Sequence, residues 1–129
     1  MLKINKLHHI AIICKDYNKS KKFYTNVLGF KIQREISREE RQSYKLDLAL
    51  NENYLIELFS FPNPPERQTQ PESTGLRHIA FEVENIEDSI DILTKKKIKT
   101  EPIRIDPFTN KKFTFFEDPD KLPIEIYEL

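Results

Sequence analysis

Two stretches of this chain begin alike. Leu7-His8-His9-Ile10-Ala11-Ile12 and Leu76-Arg77-His78-Ile79-Ala80-Phe81 set His9 and His78 in register at an offset of 69 (78 − 9). A glutamate follows each histidine at nearly the same separation: 48 positions from His9 to Glu57 (57 − 9) and 47 from His78 to Glu125 (125 − 78). A chain made of two copies of one unit must fold both copies the same way. Two His and two Glu at matched places then suggest a metal site built across a pseudo-two-fold axis.

The first copy reads β-α-β-β-β. Leu7 to Ile13 is apolar and rich in β-branched residues, and Asp16 can cap a helix with Tyr17, Phe23, Tyr24, Val27 and Leu28 on its apolar stripe. Gly29 supplies the stop. Strands are predicted at Phe30 to Ile36, at Ser43 to Leu50 and at Tyr54 to Phe61, the last two separated by the turn-prone Asn51-Glu52-Asn53. Residues 62 to 75 hold Pro62, Pro64, Pro65, Pro71 and Gly75 among polar side chains, a linker composition that resists helix and sheet. The second copy repeats the order. It has a strand Leu76 to Val83, a helix from Asn85 through Leu93, and strands near Ile98 to Ile105, at Lys112 to Glu117 and at Leu122 to Glu128. The expectation is one α+β domain over residues 1 to 129, with modules 7–61 and 76–128 and a linker 62–75.

The 129 residues suffice for one compact domain, or two small units sharing a core, without covalent staples. Lys plus Arg number 21 and Asp plus Glu number 21, so no overall charge draws the chain to nucleic acid or an anionic membrane. Cys14 is the sole cysteine, which excludes an internal disulfide. With no bilayer-length apolar run and no signal-peptide pattern, a cytoplasmic protein is expected.

Side chains alternate along a strand. Glu57 therefore shares a face with Leu55, Phe59 and Phe61, Glu125 with Pro123 and Tyr127, and His9 with Leu7, Ala11 and Ile13. A carboxylate on an apolar face is costly unless something pairs with it. Taken singly, a His in an apolar strand is more often a hydrogen-bonded core residue, and a Glu more often points to solvent. Duplication accounts for recurring apolar positions. It does not account for the same unusual polar pair recurring in halves that differ so much elsewhere, and this favours a metal site. Two imidazoles and two carboxylates suit a divalent cation. His8 should point to the opposite face from His9 and be peripheral, Arg77 holding its place in the second unit. Cys14 reads as an inert packed thiol.

These pieces resemble the vicinal oxygen chelate superfamily, in particular its glyoxalase I-like members, over nearly the whole chain. The resemblance rests on the two His-Ile-Ala openings, Ser20-Lys21-Lys22-Phe23-Tyr24 leading to Leu28-Gly29-Phe30, Leu55-Ile56-Glu57-Leu58-Phe59, and Phe116-Glu117-Asp118-Pro119-Asp120 leading to Ile124-Glu125. It implies two βαβββ modules forming a curved mixed sheet around a metal centre. His9, Glu57, His78 and Glu125 would be the protein ligands of one divalent ion: nickel, cobalt, manganese, iron or zinc. It further implies a small-molecule substrate, and a homodimer is plausible because modules in this superfamily pair within one chain or between two. Lys121 departs from the glycine the family often has there, and would be strained by roughly 1 kcal/mol if its φ is positive.

An octahedral ion with four protein ligands keeps two positions open to neighbouring oxygens of a substrate. The implied activity is a lyase or isomerase that moves a proton next to a carbonyl, as in converting the hemithioacetal of a thiol and a 2-oxoaldehyde to a 2-hydroxyacyl thioester. By resemblance Glu125 is the first candidate for the catalytic base and Glu57 the second. The alternatives are another metal-assisted reaction of this superfamily (epimerisation, thiol transfer or ring-cleaving dioxygenation), a closed structural zinc site, and a binding protein that holds a small ligand without turning it over.

Overall fold

The computed structural model describes residues 1–129 as two compact units, Met1–Pro65 and Glu66–Leu129. In the first unit, β1 (Ile10–Cys14) leads to α1 (Tyr17–Lys22), which passes into a π-helical turn, Phe23–Val27. Three strands follow: β2 (Lys31–Arg38), β3 (Ser43–Leu50) and β4 (Asn53–Ser60). In the second unit, β5 (Ile79–Val83) and α2 (Ile86–Lys95) precede β6 (Arg104–Ile105), β7 (Lys112–Glu117) and β8 (Pro123–Glu128). Each unit forms one four-stranded mixed sheet, ordered β1-β4-β3-β2 in the first and β5-β8-β7-β6 in the second. The α+β class holds.

In each sheet the first and last strands of the unit lie side by side and parallel, and the rest pair antiparallel. Only a crossover permits that parallel pairing. The helix and the two-strand meander supply it. The register places Ala11 beside Glu57 and Ala80 beside Glu125. The matched positions of the two copies are thus matched in three dimensions within their own sheets.

Both helices begin as the sequence indicates. The Asp16 side chain accepts the N–H of Lys19, and the Asn85 side chain that of Asp88. The first helix does not run as one α-helix to Leu28. From Phe23 it widens, the Leu28 N–H bonding the Phe23 carbonyl at 3.1 Å, and Gly29 ends it at φ +79°. The wider turn keeps both Phe23 and Tyr24 buried.

One face of each sheet is packed under its helix. Ile12, Leu46, Leu48, Ile56 and Leu58 form that core in the first unit, and Ile79, Phe116, Ile124 and Ile126 in the second. Glu35, on the same face as Leu46, is bonded by Tyr17 and by Lys21 of α1, the latter at 2.7 Å. In the second unit Glu128 accepts the N–H of Ile86 at 3.0 Å, tying β8 to the start of α2.

Three expectations are corrected. β1 starts at Ile10 rather than Leu7, so His9 lies just before the strand, as His78 lies before β5. The predicted strand near Ile98 to Ile105 is reduced to Arg104–Ile105: Glu101 still donates its N–H to the Phe115 carbonyl of β7 at 2.9 Å, but Pro102 interrupts the run and the ladder with β7 holds only the last two residues. The face shared by His9, Leu7, Ala11 and Ile13 is not the apolar core face: Leu7 and Ile13 are 66% and 56% exposed. Alternate residues Ile12 and Cys14 are the buried ones, so the His and Glu residues stand on the face of each sheet that carries no helix.

Candidate functional site

Each sheet brings its histidine and glutamate together. His9 Nε2 lies 3.7 Å from Glu57 Oε2, and His78 Nε2 lies 3.1 Å from Glu125 Oε2. The glutamates sit in the middle of their strands and the histidines at the entrance to the neighbouring parallel strand. The separation is a product of the parallel pairing, not of sequence proximity. Two ligand atoms about 2.1 Å from one ion and cis to each other stand roughly 3 Å apart. Both pairs are therefore spaced so that a small adjustment would let them share an ion. No three His, Cys, Asp or Glu side chains gather into a metal-holding group in this structure, so the sites it displays are two pairs.

His8 was expected to point to the opposite face from His9, and it does not. His8 Nδ1 is 2.8 Å from His9 Nδ1, and the two rings meet edge-on. Because the pair precedes the strand, the alternation of strand faces does not apply to it. Arg77 Nη1 is 3.0 Å from His78 Nδ1. Arginine only donates, so this Nδ1 is an acceptor and Nε2 carries the proton toward Glu125. For His78 to bind an ion through Nε2, Arg77 must release Nδ1, whereas His8 Nδ1 can accept a hydrogen bond from His9 Nδ1–H and leave His9 Nε2 free.

The surroundings of the two pairs differ. On the helix-free face of the first sheet the cross-strand row reads Ala11, Glu57, Asp47, Arg34. Tyr54 donates its hydroxyl to Glu57 Oε2, Lys45 Nζ lies 2.9 Å from Asp47 Oδ1 and 3.5 Å from Glu57 Oε2, and Arg34 Nε lies 3.9 Å from Asp47 Oδ2. Burial, then the Glu57 hydrogen bond, raises the Tyr54 hydroxyl above its ordinary value. In the second sheet the residue opposite Glu125 is Phe115, whose ring meets His78 edge-on at 5.1 Å between centroids. Arg104 lies over the rings of Phe113 and Phe115, and the Phe113 ring stacks on Tyr127. Sequence reasoning missed Lys45, Asp47 and Tyr54. The available signal was the alternation of polar Lys45 and Asp47 with buried Leu46 and Leu48.

A cavity of about 800 Å³ opens in the second unit, between residues that include Arg67 and Glu72 and the segment from Ile98 to Arg104. Arg77 and Phe115, both in contact with His78, form part of its wall. Its size suits a small organic molecule.

The model of the Glyoxalase/Bleomycin resistance protein/Dioxygenase superfamily matches residues 6–126. This chain belongs to that superfamily. Among the relatives of this superfamily member, the uncharacterized protein YwkD of Bacillus subtilis is 62% identical, over 97% of this chain and 98% of its own length. The crystal structure of a glyoxalase family protein from Enterococcus faecalis is similar with a TM-score of 0.88 and 48% identity, covering 95% of this chain and 97% of that one. Lactoylglutathione lyase of Schizosaccharomyces pombe is 30% identical over 94% of this chain, which spans 46% of that enzyme's length. The architecture of this chain is thus the vicinal oxygen chelate fold. No helix in it is long and apolar enough to cross a membrane.

Proposed function

We propose that this chain is a metal-dependent enzyme of the glyoxalase type, in which His9, Glu57, His78 and Glu125 hold one divalent ion and Glu125 moves a proton next to a substrate carbonyl. The observation that carries this reading is the recurrence of one His–Glu pair, across a parallel strand pair, on the helix-free face of both sheets. Two imidazole nitrogens and two carboxylates suit nickel, cobalt, manganese, iron or zinc, and the two pairs would meet within one chain or across a homodimer. When bound, the ion would polarise a carbonyl and hold two neighbouring oxygens of the substrate.

Glu125 then removes the proton from the carbon next to the carbonyl and returns it to the adjoining carbon. A hemithioacetal, formed from a thiol and a 2-oxoaldehyde, becomes a 2-hydroxyacyl thioester, with atoms and charge conserved. The Phe115 ring packs beside His78, and the cavity walled by Arg77 and Phe115 offers room for the rest of the molecule. Likeness to lactoylglutathione lyase supports the same class of proton shift. Epimerisation next to a thioester carbonyl shares the proton removal but returns a proton to the opposite face of the same carbon.

Elemental analysis after dialysis, and again after reconstitution with single divalent metals, tests the ion. About one ion per four-donor set is expected, followed by metal-dependent isomerisation of a methylglyoxal hemithioacetal. Failure to retain any metal would overturn the reading. Ligand binding that survives chelation, without turnover, would instead identify a small-molecule binding protein.

A further inference from the structure

The Glu57 carboxylate is held through one oxygen. The Tyr54 hydroxyl donates to Oε2, and His9 Nε2 and Lys45 Nζ lie 3.7 and 3.5 Å from that same atom. Oε1 takes part in none of these contacts. Tyr54 is itself fixed. Its hydroxyl stands 3.4 Å from Asp47 Oδ1, which Lys45 holds at 2.9 Å, and its ring lies 5.4 Å from that of His9. The strand register makes this arrangement possible by placing Asp47 directly opposite Glu57.

Nothing comparable surrounds Glu125. Phe115 is the residue opposite it, and three positions before it stands the buried Leu122, where the first unit has Tyr54. Its ion-pair contact is with His78 alone.

We propose that Tyr54 is a positioning residue that makes the two carboxylates unequal. By engaging Oε2 it holds the Glu57 carboxylate in one orientation, while Glu125 remains the carboxylate able to move. The inference rests on the proposal that Glu57 binds an ion. It assigns the asymmetry to Tyr54, with Asp47 and Lys45 behind it. Groups behind a ligand alter metal affinity by orienting it.

The test is titration of the metal-free protein with Co²⁺, followed by visible absorption. Tyr54→Phe keeps the ring and removes the hydroxyl. It should weaken Co²⁺ binding by about 10- to 100-fold and shift the absorption bands, as Glu57 becomes free to rotate. In a Glu57→Gln background, Tyr54→Phe should cause no further loss. Unfolding of the metal-free variants checks that the fold is kept. Should Tyr54→Phe not fold, Asp47→Asn removes the second anchor of the hydroxyl and should shift the bands in the same direction. Unchanged affinity and spectrum in the variants would overturn the inference, as would an equal loss with and without the Glu57 carboxylate. A native chain that binds no Co²⁺ would overturn the metal proposal as well, so the two failures are distinguishable.

Discussion

Nε2 of His78 and Oε2 of Glu125 are 3.1 Å apart, closer than the 3.7 Å between the equivalent atoms of His9 and Glu57. The shorter contact belongs to the pair with fewer polar neighbours, since Glu57 also receives Tyr54 and Lys45. A carboxylate with one partner reorients more readily than one with three. The geometry of each pair therefore bears on what its glutamate can do.

Replacing Glu125 with Gln preserves size and an oxygen donor but removes the proposed base. The metal-loaded variant should lose about 10²- to 10⁴-fold in turnover of a hemithioacetal. Elemental analysis of the same sample separates loss of the proton acceptor from loss of the ion. Full turnover with metal retained would remove Glu125 as the base.

An ion that binds the folded chain alone stabilises it by mass action. At a free metal concentration of 100 times Kd the gain is about 2.7 kcal/mol, read as a rise in the thermal midpoint over chelator-treated protein. His9→Ala and His78→Ala should each remove most of that rise. If only one of them does, the two pairs do not serve one ion.

Ile56 and Glu57 are neighbours in β4 that point to opposite faces, and Ile56 is completely buried. Ile56→Ala should cost about 2–5 kcal/mol in urea unfolding, through lost burial and the cavity left behind. A cost below about 1 kcal/mol would mean that this face of the sheet is not the core.

The Glu35 carboxyl titrates below its ordinary range because Lys21 and then Tyr17 hydrogen-bond its charged form. Its contribution to stability is therefore present above the unfolded-state pKa near 4.3 and is lost as pH falls through the lower folded value. Glu35→Gln should destabilise the chain slightly at neutral pH. The difference should vanish below that folded value, where both chains are neutral at this position. Solvent exposure keeps the effect small. A difference that persists unchanged across that range would assign it to packing.

Much of the fold was legible because local chemistry and global order agree. Asp16, Asn85 and Gly29 mark helix ends, and the order β-α-β-β-β follows from hydrophobic periodicity. The His–Glu pairs were legible only through duplication, since neither residue marks itself. Strand entry was not: one turn of alternation assumed three residues too early reverses the expected direction of His8. Lys121 does adopt φ +67°, the strained conformation suspected from its replacing a family glycine. Asp118 offsets that strain by accepting the N–H groups of Asp120 and Leu122 at 2.8 and 2.9 Å. The polar row of Tyr54, Asp47 and Lys45 stayed hidden because it exists only once β3 and β4 are in register, and single-strand patterns carry no register.

Because the first and last strands of each unit are neighbours, each His–Glu pair closes a loop that contains nearly the whole unit. Neither pair can form from a fragment, and neither can form before the final strand has docked. Each His–Glu contact is thus a late property of folding, acquired when the first and last strands of its own unit meet. Loss of the final strand of a unit would remove an inner strand of its sheet and, with it, the glutamate of the pair.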